Sequence, residues 1–79
     1  MARISAFYKM TADVSAHPTS VDCGYQSLTA QDGTKLLQLS TFGSTARKSG
    51  PKVSQTLQID RVGAEALAQI LRNAFPEIR

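Results

Sequence analysis

A chain of 79 residues, 42% hydrophobic and 19% charged with a formal net charge of +3, fits one small globular domain and excludes a low-complexity or repeat protein. So short a chain buries little surface on folding, which makes a second copy an expected source of stability. The lone cysteine, Cys23, and the lone histidine, His17, supply neither an internal disulfide nor a metal cluster, so the expectation is a cytoplasmic chain without metal or cofactor. No run reaches the length of a membrane span, and polar residues interrupt the first seven positions too often for a signal-peptide core.

Along the chain, Ala2, Ile4, Ala6, Tyr8, Met10, Ala12 and Val14 occupy even positions while mostly polar residues take the odd ones, which predicts a strand over 2–14 with one buried face. Phe7 breaks this pattern and puts a ring on the polar side, next to Lys9. His17-Pro18 marks a loop. Alternation at Val21, Cys23 and Tyr25 predicts a second strand over 21–29, closed by the tight-turn pair Asp32-Gly33. A third strand over 35–42 places Leu37 and Leu39 inward and Gln38, Ser40 and Phe42 outward. The fourth, over 52–59, turns Val53, Leu57 and Ile59 inward and Ser54, Thr56 and Gln58 outward, with Gln55 on the inner side against the pattern.

Asp60 is a suitable N-cap, and Val62, Ala66, Leu67, Ile70, Leu71 and Ala74 form an apolar stripe, so a helix is predicted over 61–75 with Pro76 as its stop. The predicted fold is α+β: a four-stranded antiparallel sheet followed by one C-terminal helix (ββββα) that covers one sheet face, in a homodimer with Ile70 and Phe75 at the interface.

The uncovered face would be polar, and the charge pattern suggests its use. Residues 33–59 contain Lys35, Arg47, Lys48 and Lys52 but no Asp or Glu, and a loop rich in Gly, Ser and Thr over 43–52 holds three of these cations. Cations, hydroxyls and free backbone amides together suit a polyanion. Single-stranded nucleic acid is held by stacking bases on rings and tracking phosphates with Lys and Arg. The candidate binding set is Lys9, Lys35, Gln38, Ser40, Phe42, Arg47, Lys48, Lys52, Ser54 and Thr56. A nucleotide-hydrolysing P-loop does not fit residues 43–49: Lys48 stands at the second glycine position, and a strand follows where a helix is required. With no carboxylate pair on one face and a single His and Cys, the expectation is a protein without catalytic activity.

The strand order, the basic loop before the last strand, and Leu57-Gln58-Ile59-Asp60 leading into a helix resemble the positive-cofactor-four family of single-stranded DNA-binding transcriptional coactivators, over about residues 24–75. The resemblance implies a homodimer with a curved DNA-binding strand surface. It implicates Lys35, Gln38 and Ser40 on the third strand, Arg47, Lys48 and Lys52 in the loop, and Ser54 and Thr56 on the fourth. The sequence departs from the family in carrying Gln55-Thr56 where Lys-Gly is common, and Ala66-Leu67 where an aromatic residue is frequent. The expected partner is nucleic acid, with single-stranded DNA favoured, in a transcription or DNA-processing role and away from membranes. The alternative is a small protein-interaction module, an accessory subunit or inhibitor of a larger protein.

Overall fold

A computed structural model of the chain describes residues 1–43 and 53–79. Four strands, β1 (Ala2–Arg3), β2 (Cys23–Thr29), β3 (Lys35–Phe42) and β4 (Val53–Ile59), precede one helix, α1 (Arg61–Ala74). The sheet order is β1-β4-β3-β2. The α+β fold and its order of elements are as expected.

The β2–β3 hairpin is set by its turn. Ala30 N–H donates to the Thr34 carbonyl at 2.8 Å and Gly33 N–H to the Ala30 carbonyl at 2.9 Å, closing a loop over 31–33. Gly33 sits at φ 90°, a left-handed conformation that glycine adopts without strain. Asp32 Oδ1 accepts the Thr34 N–H at 3.0 Å. That backbone hydrogen bond, with a second from the Thr34 side chain, holds the Asp32 carboxyl below its ordinary 3.8. Its stabilising effect is therefore complete above that value and lost as pH falls through the lowered one. From this turn β2 and β3 pair without interruption, from Thr29↔Lys35 to Cys23↔Thr41. β3 and β4 are also antiparallel, with an irregularity at Thr41/Phe42 where Phe42 pairs with Val53 and Ser54 is left unopposed.

The first strand departs from expectation. It spans two residues, not 2–14, and lies parallel to β4 with Ala2↔Leu57 and Arg3↔Gln58, which makes the sheet mixed and not wholly antiparallel. The cause is topological. A strand parallel to β4 that enters at Leu57 meets the end of β4 two residues later, and after Ile4 N–H donates to the Gln58 carbonyl no backbone remains alongside. Residues 4–22 leave the sheet, and Tyr8 and Val14, expected on a buried face, are 84% and 82% exposed. β2 likewise starts at Cys23 and not at 21, because β3 ends at Phe42, whose N–H makes a last bond to the Asp22 carbonyl at 3.1 Å. The fourth strand begins at Val53; its expected first residue, Lys52, lies outside the described residues.

Asp60 caps α1, its Oδ1 accepting the Gly63 N–H at 2.9 Å. At the other end Phe75 N–H donates to the Leu71 carbonyl, making Phe75 the C-cap and Ala74 the last helical residue. The helix packs mainly on β4, through its first turn, where Gly63 is buried against Ile59. Farther along, Leu67 is half-buried but Leu71, expected on the covered stripe, is 40% exposed, so the far half of α1 covers less of the sheet than expected.

Among the described residues the buried apolar side chains are Leu36, 6% exposed, and Ile59, 4% exposed. The chain exposes 7044 Å², whereas a compact monomer of this mass exposes about 4,700 Å². Its radius of gyration is 15.0 Å, against about 11.6 Å for a compact domain of this length.

Two glycine substitutions separate turn geometry from packing. Gly33→Ala places a side chain in the left-handed region and is expected to lower stability in urea denaturation by about 1–2 kcal/mol. In Gly63→Ala the new methyl meets Ile59 Cβ and Asp60 Oδ1 at 3.5 Å, an ordinary contact. Gly63→Ala should therefore raise stability by about 0.5–1 kcal/mol through helix propensity.

Candidate nucleic-acid interface

Strand alternation fixes the two faces of the sheet. The even positions of β3, Leu36, Gln38, Ser40 and Phe42, share one face. Pairing places Gln26 and Gln58 on either side of Gln38, and Gly24 and Thr56 on either side of Ser40. Arg3 pairs with Gln58. A row of four side chains, Arg3, Gln58, Gln38 and Gln26, thus crosses all four strands. The opposite face carries Tyr25, Leu37, Leu39, Leu57 and Ile59.

The polar face is internally hydrogen-bonded. Gln58 Nε2 donates to Gln38 Oε1 at 2.9 Å, and Gln38 Nε2 donates to Ser40 Oγ at 3.4 Å. Ser40 Oγ is in turn 3.4 Å from Thr56 Oγ1. These partly buried bonds hold the amides in one orientation, which lowers the entropy lost when a ligand engages their remaining donors and acceptors. Phe42 lies half-buried over Gly24: a Cβ at position 24 would sit 3.3 Å from Phe42 Cε2, so the missing side chain gives the ring its seat. Gly24, Gln26, Gln38, Ser40, Phe42 and Val53 line an open cavity of about 290 Å³ that brings an aromatic ring and side-chain amides to one site.

Of the expected binding residues, Gln38, Ser40, Phe42 and Thr56 are brought together. Lys35 is at an odd position of β3 and falls on the opposite face, exposed beside Thr29. Ser54 sits at the strand irregularity, unopposed. Lys9 is exposed in the segment outside the sheet, and half-buried Phe7 is outside it too. Arg47, Lys48 and Lys52 lie outside the described residues. Arg3 joins the polar face unforeseen, because a two-residue parallel pairing leaves no periodic trace in a sequence. Its guanidinium is 3.9 Å from the Asp60 carboxylate and 45% exposed, a loose pair that leaves the cation open to phosphate.

His17 turns its Nδ1 towards its own loop, 3.0 Å from the Thr19 carbonyl oxygen and 3.2 Å from the Thr19 amide nitrogen. Cys23 is exposed at the start of β2. Among the described residues no three His, Cys, Asp or Glu side chains gather as metal ligands, and no helix is long and apolar enough to cross a membrane. Comparisons with protein families, with curated proteins and with solved structures return no match for this chain.

If the hydrogen-bonded row is structural, Gln38→Ala, which strands the Gln58 amide and removes the donor to Ser40, should lower stability by about 1 kcal/mol. Gln55→Ala, exposed on the other face, should change it by less than about 0.5 kcal/mol. Equal losses in urea denaturation would contradict the network.

Proposed function

We propose that this chain is a non-catalytic nucleic-acid-binding protein that favours single-stranded DNA and acts as a homodimer. The observation that carries the reading is the polar face itself: oriented amides of Gln38 and Gln58, the hydroxyls of Ser40 and Thr56, and the Phe42 ring seated on Gly24 all point to one side of the sheet. A duplex offers its bases edge-on in grooves, whereas a single strand can lay a base on a ring and present its edge to an amide. Arg3 at the end of the row and the acid-free sequence over 33–59, with Lys35, Arg47, Lys48 and Lys52, supply cations for the phosphates. The resemblance to positive-cofactor-four coactivators extends the reading to a transcription or DNA-processing cofactor.

The homodimer is supported by the unburied apolar surface, including Ile70 and Phe75 on and beyond α1. The same exposed stripe favours one other reading, a module that docks on a larger protein, which takes precedence if oligonucleotides do not bind.

Fluorescence anisotropy with labelled single- and double-stranded oligonucleotides, at low and near-physiological salt, tests the proposal. Affinity should fall with salt and be tighter for the single strand. Replacing Arg47, Lys48 and Lys52 with Ala should weaken binding to every sequence and reduce the log–log salt slope by about 2. Phe42→Ala should weaken it by about 1–3 kcal/mol with the slope unchanged. No binding at low salt overturns the reading.

A further inference from the structure

The free edge of β2 has the features of a seam between two copies, and we propose that the homodimer forms there: two β2 strands pair antiparallel about a two-fold axis at Gln26, giving one continuous eight-stranded sheet. This rests on the homodimer reading above and specifies its geometry.

Backbone parity comes first. The bonds Ala30 N–H to Thr34 carbonyl and Phe42 N–H to Asp22 carbonyl fix the even residues of this hairpin as those turned towards β3. Cys23, Tyr25, Ser27 and Thr29 therefore direct their N–H and C=O groups away from the sheet, along an edge that no other strand among the described residues covers. Edge strands of monomers are normally blunted by a charge, a proline or a bulge. The strand Cys23–Thr29 has none of these: its sequence is CGYQSLT, and its register with β3 is unbroken.

Self-complementarity comes second. With the axis at Gln26, Cys23 faces the partner's Thr29 and Tyr25 faces the partner's Ser27, so all four outward residues enter hydrogen-bonded pairs. An axis at Tyr25 or Ser27 leaves part of the edge beyond the seam. On the polar face Leu28 meets the partner's Gly24, and on the other Tyr25 meets the partner's Ser27. Large side chains lie against small ones in both cases, and no like charges oppose. The need for a partner is independent of this register: 7044 Å² exposed is an excess of about 2,400 Å² per chain over a compact monomer, about 4,800 Å² for two chains, towards the upper end of obligate homodimer interfaces.

The functional consequence is a longer track. Gln58, Gln38 and Gln26 continue through the axis into the same three residues of the second copy, so six amides line up across about 24 Å of sheet at the usual strand spacing. A single strand crossing the seam meets the same chemistry on both sides.

The test uses the full chain with Cys23→Ser and Gln26→Cys. At the axis the two position-26 residues form a non-hydrogen-bonded pair with Cα atoms about 4.5 Å apart, within disulfide range. Mild oxidation should give a covalent dimer on a non-reducing gel, and Gln55→Cys in the same background should not. Ser27→Pro removes an outward N–H while sparing the bonds to β3, and sedimentation should show dimer affinity reduced by about 100-fold. A wild-type dimer with no crosslink at position 26 and unchanged affinity in Ser27→Pro overturns the seam but leaves the homodimer standing. A wild-type monomer overturns both, and slowly exchanging Tyr25 and Ser27 amides in that monomer would assign the edge to residues 4–14 of the same chain.

Discussion

Burial of apolar surface is what this chain lacks, and the rest of the structure follows from that shortage. Each side chain taken out of water contributes about 1.5–3 kcal/mol, set against about 1–2 kcal/mol of backbone entropy for every residue ordered. Among the described residues Leu36 and Ile59 are the buried apolar side chains, and they lie on opposite faces of the sheet, so they do not add up to one core. The helix is fastened at one end, by the Asp60 cap and by Gly63 against Ile59, and then carries Ile70, Leu71 and Phe75 into the open. Such a chain leaves apolar surface open on its helix. In the proposed homodimer the β2 edge is where a second copy joins, while the α1 stripe on the far side of the sheet stays open to further contacts.

The same economy explains the polar face. A sheet with both sides packed could not carry a row of glutamines at its centre. Here Gln38 and Gln58 satisfy each other and Ser40, so their partial burial leaves no buried side-chain polar atom without a partner among the described residues. The result is a stiff surface of donors and acceptors with one aromatic ring, backed by leucines on the other side of β3. The proposed recognition chemistry and fold stability therefore draw on the same strand: β3 supplies Gln38, Ser40 and Phe42 to one face and Leu37 and Leu39 to the other.

Local signals in the sequence were legible where the structure is locally determined. Asp32-Gly33 specified a turn because only the left-handed Gly33 closes it, and Asp60 specified the helix start because its carboxylate meets an unpaired amide. Alternation in β3 and β4 placed Gln38, Ser40, Thr56 and Gln58 on one face. The failures share a cause in long-range geometry. The alternation of 2–14 is genuine, yet its realisation as a strand depends on a neighbouring backbone, and β4 ends too soon to provide one. Leu36 reads as a polar-face position by parity, but beside Leu28 at the turn end of the sheet it is buried. Arg3 owes its place to a two-residue parallel pairing. How far α1 covers the sheet depends on packing against β4, which its amphipathic stripe does not encode.

Whether one copy is stable alone is tested most directly by the concentration dependence of unfolding. For a chain folded only as a dimer, a hundredfold rise in protein concentration adds about 2.7 kcal/mol to the free energy of unfolding per dimer, moving the urea midpoint upward on the order of 1 M. A midpoint that climbs in this way, with no folded baseline at high dilution, is the predicted result. A cooperative transition whose midpoint is the same at every concentration would contradict the account, because it would mean that a single copy with so little buried apolar surface is stable alone.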